Sequence, residues 1–318
     1  MNVVVLGNGA IGSLWTYHLK RFSTANVSIK TRSALCIGTA TDTANGTYAR
    51  KNSLSFTCFH GLSLQIEYTL ADQQNLQNAD LIISCLKSTE TASALNSLSN
   101  LLSNNVDIVL CHNGLGVYEA LSDELKLNNR IYAMLTTHGC FRASKHHVIH
   151  TGLGHCDVGL LTSPVDKENN KENQQPAWLE LLNHSLPSVY WSDDIKAKQW
   201  LKLAINCVIN PITAIHKINN GKVTENVFRQ QIEAVAEEVS IAAHTQGIQL
   251  VPQDIVSTSL EVAKKTSKNT SSMLSDVLAN RETEITNING YICELAKQYG
   301  FSAKANQSLF EQVKSLSV

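Results

Sequence analysis

The sequence predicts an α/β protein: a doubly wound parallel sheet over residues 1–190, then an all-helical C-terminal part over residues 191–318. Three observations carry this. Short β-branched, apolar runs alternate with helix-patterned stretches in the first half of the chain, the alternation that builds a parallel sheet covered by helices. A G-x-G-x-x-G turn, Gly7, Gly9 and Gly12, joins the first run to the first helical stretch. Past Ser188-Val189-Tyr190-Trp191 the strand-like runs stop and the apolar spacing turns helical.

The first element, Asn2–Leu6, reads as a buried parallel strand, and a helical pattern follows from Ala10 to about Phe22. Each glycine between them has a physical reason. Gly7 turns the chain out of the strand, Gly9 lets a pyrophosphate approach the backbone, and Gly12 allows close helix packing. The free N–H groups at the helix N-terminus then face the phosphates. Residues Gly7, Asn8, Gly9, Ala10, Ile11 and Gly12 are therefore expected to bind a dinucleotide, in a Rossmann-type domain. A second strand, Asn26–Lys30, ends at Thr31-Arg32, where NAD-binding chains carry a carboxylate for the ribose hydroxyls. A guanidinium suits a 2′-phosphate instead, so Arg32 predicts NADP(H).

Further strands are expected at Asp80–Leu86, Asp107–Cys111 and Ile131–Thr136, with helices near 89–102 and 115–126. Ligands bind outside the carboxyl ends of such strands, which makes Lys87 and Asn113 site candidates. The run from Lys145 to Leu161 reads as a hairpin added to the sheet, its clustered histidines exposed or facing the hairpin and holding no metal. Residues 164–176 read as a polar surface loop.

Composition bounds the function. The chain has 318 residues, 43% of them hydrophobic, with a formal net charge of −1, so charge points to no nucleic-acid partner. The N-terminus lacks signal-peptide features, and no apolar run has transmembrane length. Eight scattered cysteines, none in a CxxC pair, suit reduced thiols in a cytoplasmic protein.

In the last part, helices are expected from Ser192 or Asp193 onward and at about 224–246, 253–268, 271–280, 284–299 and 305–315. The first contains LKLAINCVINPITAIH, residues 201–216, which is apolar nearly all round. Lys202, Asn206 and Asn210 recur within it every fourth residue and so share one face. A buried amide without a partner costs roughly 1–3 kcal/mol, and a lone charge more. The polar line therefore needs partners, either a structural network or a ligand. Pro211 removes a helical N–H and is expected to bend the helix or end it soon after Asn210. A second polar cluster holds Asn269, Ser271 and Ser272, and Glu284 precedes the stretch NINGYICELA.

GNGAIGSLW (7–15), CLKS (85–88), HNGLG (112–116), TTHGCFR (136–142), KLAINCVINPITA (202–214), NNG (219–221), SSMLSD (271–276) and TEITNINGY (283–291) occur in this order. In these pieces the chain resembles the ketopantoate reductase (2-dehydropantoate 2-reductase) family. The resemblance implies a Rossmann domain, a helical domain and an active site between them. It implies NADPH-dependent reduction of ketopantoate to (R)-pantoate, toward pantothenate and coenzyme A. Carried over by position, Lys202 would be the proton donor, and Asn206, Asn210, Asn220 and Ser272 would hold the substrate. Asn113 would touch both substrate and cofactor. Lys87 and Glu284 would contact the cofactor or the reacting groups, and Cys140 would meet the cofactor through its backbone. A monomer or homodimer acting on a small molecule is expected.

That chemistry suits the residue types. Negative charge developing on a ketone oxygen needs a cation that can supply a proton. A lysine with an ordinary pKa of ~10.4 is protonated near neutrality. A cleft would lower that value and a nearby Glu284 would raise it. The alternatives are a related 2-keto-acid or β-hydroxyacid dehydrogenase, a non-catalytic dinucleotide sensor and a structural protein.

Overall fold

A computed structural model describes residues 1–31, 51–144, 146–161 and 175–316. Arg32 lies outside the described residues, as do positions 164–174 of the expected polar loop. The chain divides into two compact units: Met1–His112 with Leu121–Ile195, and Asn113–Ala120 with Lys196–Val318. The first thus runs five residues past the expected boundary at 190, and it surrenders residues 113–120 to the second.

Among the described residues, the first unit holds an eleven-stranded sheet, β1 Asn2–Leu6, β2 Asn26–Lys30, β3 Lys51–Thr57, β4 Ser63–Leu70, β5 Leu81–Ser84, β6 Asp107–Leu110, β7 Ile131–Thr136, β8 Gly139–Ser144, β9 His147–Gly152, β10 Cys156–Leu160 and β11 Val189–Trp191, in the order β11-β10-β7-β6-β5-β1-β2-β4-β3-β9-β8. Its centre, β2-β1-β5-β6-β7, is parallel. These strands read as continuous apolar runs because both faces are covered: Val3, Val5, Ile83, Val109 and Tyr132 join a core with Leu14 and Trp15 of helix α1 (Ala10–Phe22), and the alternate residues Val4, Leu6, Ile82 and Ile108 are buried as well. Short helices α2 (Gln73–Gln77), α3 (Ser88–Leu98), α4 (Asp123–Asn128) and α5 (Trp178–Ser185) complete the unit. Helix α5 and the antiparallel pair β3–β4 were not expected from the sequence.

Two expectations are corrected here. The run 145–161 is not itself a hairpin but the returning arm of a longer one. β8 pairs antiparallel with β9, β7 pairs antiparallel with β10, and the two halves enter the sheet at different places. Of the histidines expected to be exposed or facing the hairpin, His150 is buried, with Nε2 3.2 Å from Nδ1 of buried His138. The expected helix at 115–126 shrinks to α4, which Ser122 caps through its hydroxyl. Residues 113–122 do not form a helix, and Gly114 and Gly116 hold φ values of +83° and +91°.

The second unit carries helices α6 (Ile195–His216), α7 (Arg229–Thr245), α8 (Pro252–Lys265), α9 (Ser272–Leu278), α10 (Asn289–Tyr299) and α11 (Lys304–Leu316). Leu203, Cys207, Val208 and Ile212 of α6 pack with Val235, Val239, Ile292 and Leu309 in one core. Three-residue 3-10 turns precede α7 and α10, which start later than the sequence suggests.

Pro211 does not end α6; the helix runs on to His216. The physical reason is a side-chain substitute. A proline at 211 leaves the carbonyl of Cys207 without its helical donor, and Nδ2 of fully buried Asn289 donates to that oxygen at 3.0 Å. The same amide donates to Oδ1 of Asn306 at 2.9 Å, and Asn306 donates to Oε2 of Glu238 at 2.8 Å. Glu238 also accepts the main-chain N–H groups of Ala305 and Asn306 in the first turn of α11. A buried network thus repairs α6 and caps α11 together.

Candidate functional site

The glycine turn is built at the carboxyl end of β1. Gly7 has φ +94° and its N–H donates to the carbonyl of Lys30 at 2.9 Å, tying the turn to β2. A Cβ on Gly12 would lie 2.0 Å from the carbonyl oxygen of Gly7, so the close approach is to the turn itself more than to the sheet. A Cβ on Gly9 would meet nothing within 4 Å. Gly9 is also the N-cap of α1 and makes no side-chain cap bond, so no side chain of its own competes for the helix terminus.

Strand β1 lies between β2 and β5, the point at which the strand order reverses. A cavity of about 320 Å³ opens there, lined by Leu6, Lys30, Thr31, Leu86, Glu90 and Ser93 among others. Burial holds the Lys30 ammonium below its ordinary value, and the Asp72 carboxylate acts the other way. Lys87 is half-buried at the N-cap of α3, just past the end of β5. Open space over Gly9, an uncapped helix terminus and this cavity fit a dinucleotide.

Strand β8 adds two side chains to the turn. Cys140 donates through Sγ to the carbonyl of Ala10 at 3.4 Å, and burial pushes its thiol up to about 12, which keeps it protonated. Arg142 donates through Nη1 to the carbonyl of Asn8. Arg142 was not singled out from the sequence. Its spacing of two from Cys140, which puts both on one face of a strand, is the signal that would have found it.

In the helical unit, Lys202 and Asn206 are half-buried on α6, and Asn210 is buried one turn further on. Thr213 Oγ1 bonds the carbonyls of Ile209 and Asn210 and lies 2.7 Å from Oγ of Ser271. Ser271 caps α9 through Leu274 N–H, and exposed Ser272 is the first residue of that helix. The turn bearing Asn210 and the helix start bearing Ser272 are thereby joined. Asn113 donates through Nδ2 to Oε2 of Glu284 at 2.9 Å, bringing together two candidates 171 residues apart. Asn220 is bound up elsewhere: its Nδ2 donates to Thr266 Oγ1, its N–H to the carbonyl of Asn269, and its Oδ1 is buried without a partner. Among the described residues no group of three or more His, Cys, Asp or Glu is arranged to hold a metal, and no helix is long and apolar enough to cross a membrane.

The parallel sheet, its glycine turn and the following helical unit define a dinucleotide-binding oxidoreductase fold. Residues 3–163 match the family model described as Ketopantoate reductase PanE/ApbA, and residues 194–317 match its C-terminal counterpart. The 2-dehydropantoate 2-reductase of Vibrio cholerae is 32% identical over 316 residues, 99% of this chain and 98% of that one. The chain belongs to the ketopantoate reductase family. The fold extends further than the family name. A PanE/ApbA family ketopantoate reductase from Ralstonia eutropha JMP134 superposes with a TM-score of 0.81 at 22% identity, covering 100% of this chain and 98% of that one. D-mandelate dehydrogenase in complex with NADH and anilino(oxo)acetate gives 0.80 at 19%, with the same coverage. Fold alone therefore does not select the substrate.

Proposed function

We propose that the protein reduces 2-dehydropantoate to (R)-pantoate with NADPH, a step toward pantothenate and coenzyme A. The observation that supports this most is α6 itself, a helix over Ile195–His216 that carries Lys202, Asn206 and Asn210 on one face in the turns before Pro211. Bound NADPH supplies the hydride that the ketone carbon takes up. The chain's own residues do the rest. Lys202 Nζ donates a proton to the ketone oxygen as negative charge develops there. Asn206, Asn210 and Ser272 hold the substrate's hydroxyl and carboxylate as neutral donors and acceptors, so the lysine keeps its charge. Asn220 is the remaining substrate contact of this reading, its Oδ1 left without a protein partner. Asn113 touches substrate and cofactor, oriented by its bond to Glu284. Gly7, Gly9 and Gly12, with the backbone of Asn8, Ala10, Ile11 and Cys140, cradle the pyrophosphate end, and Lys87 and Arg32 bind further along the cofactor.

The test is NADPH consumption with ketopantoate, compared with NADH and with a panel of other 2-keto acids. Preference for NADPH and ketopantoate is expected. Because D-mandelate dehydrogenase solved with NADH shares this fold, the competing reading is a 2-keto-acid dehydrogenase using NADH. Faster turnover of an aromatic keto acid with NADH would select it and overturn the Arg32 assignment.

A further inference from the structure

We propose that Asn287 is a positioning residue that clamps the 113–116 segment and so sets the placement of Asn113 against Glu284; the inference rests on the reductase reading above. The segment has no regular secondary structure to hold it, so its backbone must be fixed from outside. The 3-10 turn Ile285–Asn287, directly after Glu284, does this. Leu115 N–H donates to the main-chain carbonyl of Asn287 at 2.9 Å, and Asn287 Nδ2 donates to the carbonyl of Leu115 at 2.9 Å. One residue thus satisfies both main-chain groups of Leu115. The side chain of Leu115 packs on the helical core, which anchors the same point from its other side.

The two neighbouring glycines make the approach possible. Gly114 has φ +83°, and a Cβ there would lie 2.3 Å from the carbonyl oxygen of Asn287. Gly116 has φ +91°, and its Cβ would lie 3.2 Å from the ring of Tyr291. Backbone lies against backbone at 114 and against an aromatic ring at 116, so the loop has little room to slide. Asn113 Nδ2 and Glu284 Oε2, 2.9 Å apart, sit just outside this clamp on its two strands of chain. Displacing Leu115 displaces Asn113 with it, whereas Glu284 stays with the turn.

A misplacement of about 1 Å at a reacting group can cost ~10²-fold in rate. Asn287→Asp keeps the shape, removes the donor and sets an oxygen against the carbonyl of Leu115. It is expected to lower kcat about 10- to 100-fold while KM for ketopantoate changes less than about 3-fold. The double variant Asn287→Asp/Asn113→Ala should lose no more than Asn113→Ala alone, because Asn287 acts through Asn113. Asn287→Ala, which keeps the main-chain bond, serves if the aspartate variant does not fold; melting temperatures identify that case. Wild-type kcat in a folded Asn287 variant, or losses that multiply in the double variant, would overturn the clamp. Failure of the wild-type chain to oxidise NADPH with ketopantoate would instead overturn the reductase reading.

Discussion

The sheet unit and the helical unit prepare their candidate sites with different materials. In the sheet unit the surface is backbone: a turn with φ +94° at Gly7, open space at Gly9 and the N-terminus of α1. In the helical unit it is side chains on helices and turns, several of them aimed by partners far along the chain. Asn113 is held by Glu284, and α6 is kept whole across Pro211 by Asn289. A backbone site is specified by a few consecutive residues. A side-chain site depends on partners that only the tertiary fold brings together.

The largest expected effect tests the side-chain half of this contrast. Lys202→Ala should cut turnover by ~10²- to 10⁴-fold, the scale for a positioned general acid, with dinucleotide affinity little changed. Steady-state rates with ketopantoate and a separate NADPH titration check it. Near-normal turnover would remove Lys202 from the reaction.

Next comes the scaffold of that line. Asn289→Leu leaves the Cys207 carbonyl and Asn306 without their donor in a fully buried place, at about 1–3 kcal/mol for each unsatisfied group. Pro211→Ala returns an N–H to the Cys207 carbonyl. The double variant Pro211→Ala/Asn289→Leu should therefore be less destabilised than the sum of the singles, by about 1 kcal/mol. Denaturant unfolding measures all three. Strict additivity would mean that Asn289 does not stand in for the missing N–H.

Pro211 also marks where sequence reading stops. The glycine turn, the central strands, α1 and the four-residue spacing on α6 were legible because each is a local pattern. The outcome at Pro211 was not, since the residue that rescues it lies 82 positions away. The 115–126 stretch failed for the same reason: its apolar spacing is helical, but Gly114, Gly116 and the bonds to Asn287 hold it open. Lys202, Asn206 and Asn210 were legible as a polar line, whereas their roles came through the family resemblance. The bond between Asn113 and Glu284 spans 171 residues and left no trace in spacing.

A smaller pair of effects separates structure from ligand in the sheet unit. Gly12→Ala forces a Cβ to 2.0 Å from a main-chain oxygen, so stability should fall by the roughly 1–3 kcal/mol of an overpacked site, read as a lower melting temperature. Gly9→Ala meets no protein atom within 4 Å, so stability should hold within about 0.5 kcal/mol while NADPH affinity falls. Unchanged affinity in Gly9→Ala would show that the pyrophosphate does not approach there.

The smallest effect concerns the sheet unit's own side-chain cluster. His18, His138 and His150 meet near the β8–β9 arm, with Nδ1 of His138 accepting from Gly154 N–H at 3.1 Å and Nε2 of both His18 and His138 buried without a partner. Burial pulls His18 and His138 down from the ordinary 6.5 to about 4, and the neighbouring imidazoles push the same way. Between those values the unfolded chain binds protons that the folded one refuses, so stability is fully present above about 6.5 and is lost as pH falls toward about 4. His138→Asn offers an oxygen acceptor for Gly154 N–H but carries no titrating ring. Its melting temperature should fall less steeply than that of the wild type across this window. Parallel pH profiles would show that His138 titrates as it does in the unfolded chain, and the acid sensitivity of this unit would then belong to its carboxylates.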